Sequence, residues 1–116
     1  MYQKLITGII FVFCAANHGI AGSVEAGAQI FEELCIHCHR LDYNDKFGPG
    51  LAGITDRRDT AWLDKFLKDP AKMIKSDEYA HTLRENNKYG LTMPSFPEMQ
   101  DAKKRQDMIE FLKVIQ

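Results

Sequence analysis

Cysteine is scarce in this chain, with three residues in 116, at Cys14, Cys35 and Cys38. Three such residues, unevenly placed, cannot staple a small domain through a disulfide framework. An excess of charge is also missing: 15 Lys+Arg face 16 Asp+Glu, for a formal net charge of -1. A nucleic-acid binder ordinarily concentrates basic charge on one face, so that function class is excluded. Gly and Pro number 8 and 4 and form no low-complexity tract, and no repeat recurs at a solenoid period. No segment alternates polar and apolar residues long enough to make a strand. No uncharged apolar run reaches the about 20 residues that span a bilayer. What remains is 45% hydrophobic and 27% charged, the composition of one ordinary globular domain.

Residues 1–22 differ from everything after them. Lys4 is the only charged side chain before Glu25, Leu5–Ala16 is an uncharged run of twelve, and small residues follow at Gly19, Ala21 and Gly22. A basic start, a short apolar segment and small residues at a cut site describe a secretory signal peptide, cleaved after Ala21 or Gly22. Asn17 and His18 interrupt the run too early for a membrane anchor. A lipid anchor at Cys14 is not expected, because Phe13 stands where that signal has a small residue. Without the leader, residues 23–116 form a 94-residue domain, and the loss of Lys4 takes the net charge from -1 to -2.

The pattern of the remaining chain predicts an all-α fold with long loops. Ser23 can cap a helix whose apolar residues Ile30, Phe31, Leu34 and Cys38 fall at helical spacing. Residues 40–55 read as irregular, around Gly48-Pro49-Gly50. A short helix starts at Asp59 or Thr60, carries Trp62, Leu63, Phe66 and Leu67, and ends at Asp69-Pro70. Ser76 or Asp77 opens another, through about Arg84, stopped by Asn86-Asn87 and Gly90. Asp101 caps the last, with Met108, Phe111, Leu112 and Ile115 as its apolar stripe. Residues 40–55 and 87–100 are thirty positions with little regular structure. A domain this small holds such loops only with a staple or a bound group.

Cys35-Ile36-His37-Cys38-His39 supplies the candidate. On one helical turn, Cys35 neighbours both Cys38 and His39, presenting two thiols and an imidazole to one object. Two thiols can add to the two vinyl groups of haem, with the adjacent imidazole below the iron. A structural zinc needs four ligands, and the other histidines of the domain are His37 and the distant His81. A thioredoxin-type dithiol belongs beside a βαβ pattern that is not present. A disulfide between Cys35 and Cys38 explains neither His39 nor the loops.

Over Glu25–Gln116 the sequence resembles the small monohaem class I c-type cytochromes. The residues that carry the resemblance are Gly27, Phe31, the Cys35–His39 motif, Gly48-Pro49-Gly50-Leu51, Met93-Pro94 and Phe111-Leu112. The resemblance implies a cytochrome c domain over residues 23–116, four to five short helices around one covalent haem c, with first and last helices crossing at Gly27. It implies Cys35 and Cys38 as attachment points, His39 as an iron ligand and the Pro49 carbonyl as acceptor for the His39 ring N–H. It implies Met93 as second iron ligand. Met73, Met99, Met108, His37 and His81 are the other candidates. Of these, Met108 and Met99 read as core, His81 as solvated and Met73 as packed in a turn.

His/Met ligation fills both axial sites and raises the potential, which suits electron transfer and not catalysis. The expected function is therefore a periplasmic electron carrier, either free or as a subunit of a redox enzyme. Its partners would be transient donor and acceptor proteins, with a monomeric chain and no stable membrane insertion. Two rivals stay open: a haem sensor or peroxidase-like enzyme with a labile sixth site, and a thiol–disulfide oxidoreductase. Tyr43, Trp62, Tyr79, Tyr89, Arg57 and Arg58 are candidates for the haem propionates. Lys65, Lys68, Lys72, Lys75 and the Lys103-Lys104-Arg105 run read as solvated helix faces. Phe31 and Phe111 read as helix-to-helix packing. Ile36, Pro94, Phe96 and Pro97 offer an apolar centre for docking at the haem edge.

Overall fold

The computed structural model describes residues 21–116 and residue 12. Lys4 and Cys14 lie outside the described residues, as does all of the apolar leader run except Val12. Among the described residues the regular elements are all helical: α1 (Val24–Ile30), α2 (Ile54–Arg57), α3 (Thr60–Lys68), α4 (Pro70–Ser76), α5 (Glu78–Glu85) and α6 (Ala102–Val114). A π-helical turn, Phe31–Cys35, extends α1, and a 3-10 turn, Pro97–Gln100, precedes α6.

Side-chain caps set most of the helix starts. The Ser23 hydroxyl accepts from the Ala26 amide at 3.2 Å, and Asp59 and Asp77 accept from the Trp62 and Ala80 amides at 2.7 and 2.9 Å. Asp101 takes two amides, those of Lys103 and Lys104. Each cap is worth about 1 kcal/mol. Asp69-Pro70 does more than the sequence suggests. It ends α3 as expected, but the Asp69 carboxylate also accepts from the Lys72 amide at 3.0 Å, and Pro70 is the first residue of α4. Proline is suited to that position, since its missing N–H has no intrahelical partner there. Met73 therefore lies in a helix and not in a turn.

Two further expectations are corrected. The first helix does not run on through Cys38: the Ile36 amide reaches five residues back to the Phe31 carbonyl at 2.9 Å, which widens the helix. The Cys38 and His39 amides then share the Cys35 carbonyl, and this closes it. The short helix α2 also starts within the last two residues of the expected 40–55 loop and runs beyond it, following Gly53 in the left-handed region at φ 66°.

The core forms where α1 and α6 cross. A Cβ built on Gly27 lies 2.1 Å from the Asp107 carbonyl oxygen and 2.6 Å from Phe111 Cβ, so only glycine permits this approach. Phe31 and Phe111 pack beside it, ring centroids 5.7 Å apart. Ile109, Met108, Leu112, Leu63 and Leu67 complete a buried cluster, to which the 3-10 turn contributes Met99. Burying each such side chain contributes about 1.5–3 kcal/mol. The buried Asp107 carboxylate accepts from the Ser23 amide at 2.8 Å and pairs with Lys103.

Arg105 is the largest departure from the charge pattern. It was expected on a solvated face with Lys103 and Lys104, yet it is only 7% exposed. Its Nε donates to Asp64 at 2.7 Å and its Nη1 to the Met99 carbonyl at 2.8 Å. The guanidinium thus joins α6 to α3 and to the turn before it. Lys65, Lys68, Lys72 and Lys75 are exposed, as their pattern indicates.

Candidate functional site

An apolar cavity of about 280 Å³ opens between the helices and the two long loops. Leu63, Phe66, Leu67, Ile74, Met108 and Leu112 supply helical wall, and Leu51, Leu91 and Phe96 supply loop wall. Cys35, Cys38, His39, Pro49 and Met93 line the same cavity. Residues far apart in sequence, 35–39, 49 and 93, are thereby gathered around one space. Met99 and Met108 are core residues, Met73 is on α4, and His37 and His81 are exposed.

The local geometry of His39 fixes its proton. Its Nδ1–H donates to the Pro49 carbonyl at 2.8 Å, because a carbonyl can only accept. Nε2 is left with a lone pair, the form that binds a metal. Gly48 stands against the ring: a Cβ there would lie 2.6 Å from His39 Cε1. Burial pushes the His39 pKa down, and the bond to Pro49 opposes this in part. The neutral imidazole is favoured.

The thiols differ. Cys38 is exposed, while Cys35 is half-buried and its pKa is pushed up to about 11, first by burial and then by the nearby Cys38. Disulfide chemistry runs on thiols whose pKa is lowered, not raised. The cavity wall also holds an unpaired donor. The Trp62 indole N–H is buried without an acceptor at bonding geometry, and so is Arg58 Nε. The Arg58 guanidinium lies 3.5 Å from the Tyr79 ring centroid and 5.7 Å from that of Trp62. Asp77 lies near both donors, and its pKa is lowered, chiefly by the Ala80 amide. An apolar cavity lined by two thiols and a neutral imidazole fits a large apolar group attached through sulfur and held by the ring nitrogen, while the Trp62 and Arg58 donors lie toward Asp77.

Residues 24–116 match the family model for cytochrome c. The chain belongs to the cytochrome c family. It is 30% identical over 100 residues to cytochrome c of Gibberella zeae, covering 79% of this chain and 93% of the relative. Among solved structures, cytochrome c from Rhodothermus marinus superposes with a TM-score of 0.71 at 26% identity, over 79% of this chain and 75% of that one. The cytochrome c domain of the pp3183 protein from Pseudomonas putida gives 0.62 at 30% identity, over 75% and 84%. The cofactor of this cytochrome c is covalent haem c with its iron, and its activity is haem-based electron transfer with partner proteins.

Cys35, Cys38, His39, Pro49 and Met93, singled out in the sequence, line one cavity in the structure. Arg105 was not so singled out, and neither was Asn87. The Asn87 side chain donates to the Phe47 carbonyl at 2.7 Å and accepts from the Tyr89 and Leu91 amides. Nothing in an Asn-Asn pair distinguishes a helix stop from such a tie. The only signal was its position at the start of a long loop that lacks other support.

Proposed function

We propose that this cytochrome c is a periplasmic one-electron carrier with haem bound through Cys35 and Cys38, His39 as one axial ligand and Met93 as the other. The observation that carries the reading is that one apolar cavity is lined by all four residues, with His39 oriented by Pro49. Haem bound there supplies the Fe(II)/Fe(III) couple. The chain's own residues do the rest. Pro49 holds the imidazole in one tautomer and raises its basicity as a ligand. With haem bound, the Met93 sulfur would be a donor that favours reduced iron and would keep oxygen or peroxide from it. The aliphatic and aromatic walls exclude water, which limits the reorganisation that accompanies a change of charge. The raised Cys35 pKa argues against the thiol–disulfide alternative.

The leader of residues 1–22 directs the chain to the periplasm. Cleavage falls after Ala21 or Gly22. The partners are respiratory donors and acceptors that dock briefly on a monomer. Phe47 and Leu91 at the cavity, and Ile36 within the Cys35–His39 motif, are offered to them, each exposed by more than two-fifths. Contacts of this kind are small and short-lived.

The deciding experiment is Met93→Ala in the oxidised holoprotein. Loss of the far-red sulfur-to-iron absorption, together with stoichiometric carbon monoxide binding on reduction, supports the ligand. An unchanged spectrum rejects it.

A further inference from the structure

The two long loops around the cavity are hydrogen-bonded to each other through an amide side chain. Asn87 stands in the turn after α5. Its Oδ1 accepts from the Tyr89 amide at 3.0 Å and the Leu91 amide at 3.1 Å, while its Nδ2 donates to the Phe47 carbonyl at 2.7 Å. The partners fix which end is oxygen, since two N–H donors meet one end and a carbonyl meets the other. Phe47 immediately precedes Gly48 and Pro49, the residues that touch the His39 ring. Leu91 stands two residues before Met93. The phenyl ring of Phe47 meets the Tyr89 ring edge-on at 5.3 Å, covering the same junction. Arg84 tethers the Met93 segment again through Thr92 Oγ1 at 2.6 Å, but only to α5. Among the side-chain hydrogen bonds of the described residues, the bond from Asn87 to Phe47 crosses between the loops, beside the Phe47–Tyr89 ring contact.

We infer that Asn87 is a positioning residue: it latches the Met93 loop to the His39–Pro49 loop and sets how readily the cavity opens to an outside ligand. This rests on the ligand assignment proposed above. Helix or turn formation alone does not require the Phe47 bond, which spans 40 residues of sequence. A turn needs only the two acceptor contacts to Tyr89 and Leu91. The latch and the turn are therefore separable by chemistry. Asn87→Asp has nearly the same shape and still accepts from both amides. It loses the donor and sets a carboxylate oxygen against the Phe47 carbonyl. Asn87→Ala removes every contact.

The test is cyanide binding to the oxidised holoprotein, followed by the decay of the far-red absorption as Met93 is displaced. Loss of one hydrogen bond corresponds to about two- to tenfold in the opening equilibrium. N87D is expected to accelerate binding at least about threefold, and N87A comparably. The core variant Ile109→Val, which lies outside the cavity wall, lowers stability but leaves the rate unchanged. A second readout does not involve the iron. Trypsin cleaves after Lys46 and Lys88, the residues preceding Phe47 and Tyr89. An open latch accelerates cleavage at both sites in N87D, whereas a purely local turn role leaves Lys46 unaffected. Wild-type behaviour of N87D in either readout overturns the inference, as does equal acceleration by I109V. If the wild-type protein has no sulfur-to-iron band, the Met93 assignment fails, and the tryptic pattern alone decides the role of Asn87.

Discussion

Gly27→Ala sets two physical effects of opposite sign against each other. Gly27 lies in the interior of α1, where replacing glycine by alanine ordinarily stabilises a helix by about 1 kcal/mol. Here the new methyl would lie 2.1 Å from the Asp107 carbonyl oxygen and 2.6 Å from Phe111 Cβ. Neither obstacle is the free end of a flexible side chain. To restore an ordinary contact of 3.4 Å, α1 and α6 must separate by about 1.3 Å, the difference of 3.4 and 2.1. A gap of even 0.5–1 Å forfeits roughly a quarter to a half of each dispersion contact across it. Phe31, Phe111 and Ile109 all pack at this crossing. Overpacking of this kind costs about 1–3 kcal/mol, and stretching the Ser23–Asp107 hydrogen bond adds about 0.5–1.5 kcal/mol. Set against the helical gain, the net is a destabilisation of about 0.5–3.5 kcal/mol with its centre near 2, and at that centre Tm falls by roughly 8–16 °C. Guanidinium unfolding of the holoprotein, followed by far-ultraviolet circular dichroism, measures it. Gly90→Ala is the companion variant. Gly90 has φ 66° with nothing within 4 Å, so only backbone strain of about 1–2 kcal/mol is expected. If G27A is as stable as the wild type or more so, the steric argument for the crossing is wrong.

The same helix pair governs the acid limit of stability. Burial opposes ionisation of Asp107, but Lys103 and the Ser23 amide outweigh it, and its pKa lies below the ordinary 3.8. A carboxylate lowered in the folded state contributes stability above that ordinary value and loses it as pH falls through the folded value. Unfolding free energy of the wild type should therefore decline below about pH 4. Asp107→Asn should start about 1–3 kcal/mol lower at neutral pH and decline less steeply in acid; parallel acid profiles would remove Asp107 from the account. Gly48→Ala should push the His39 ring off the Pro49 carbonyl, since its Cβ would lie 2.6 Å from Cε1. A weaker bond makes the imidazole a poorer donor, so the reduction potential should rise, by at most about 60 mV for a one-electron couple. A potential that falls, measured by redox titration, would show that Pro49 does not tune this ligand.

Local signals in the chain fixed much of this protein in advance. The capping residues Ser23, Asp59, Asp77 and Asp101 and the apolar residues Met108, Phe111 and Leu112 of α6 act over three or four positions, and the structure follows them. Asp69-Pro70 was legible only in part, because the same pair that stops one helix starts the next when its carboxylate finds a new amide. The α1–α6 crossing at Gly27 and the bond from His39 to Pro49 were expected from the resemblance, and what only the folded molecule decided was which distant groups satisfy Arg105 and Asn87. The charge of Arg105 points to solvent in any reading of its neighbours, and only the arrival of Asp64 and the Met99 carbonyl makes its burial favourable. The Asn87 side chain likewise has no preferred partner until chain closure brings Phe47 within reach, 40 residues away. A side chain's intrinsic chemistry is written at its own position, but the groups that satisfy it are chosen by packing.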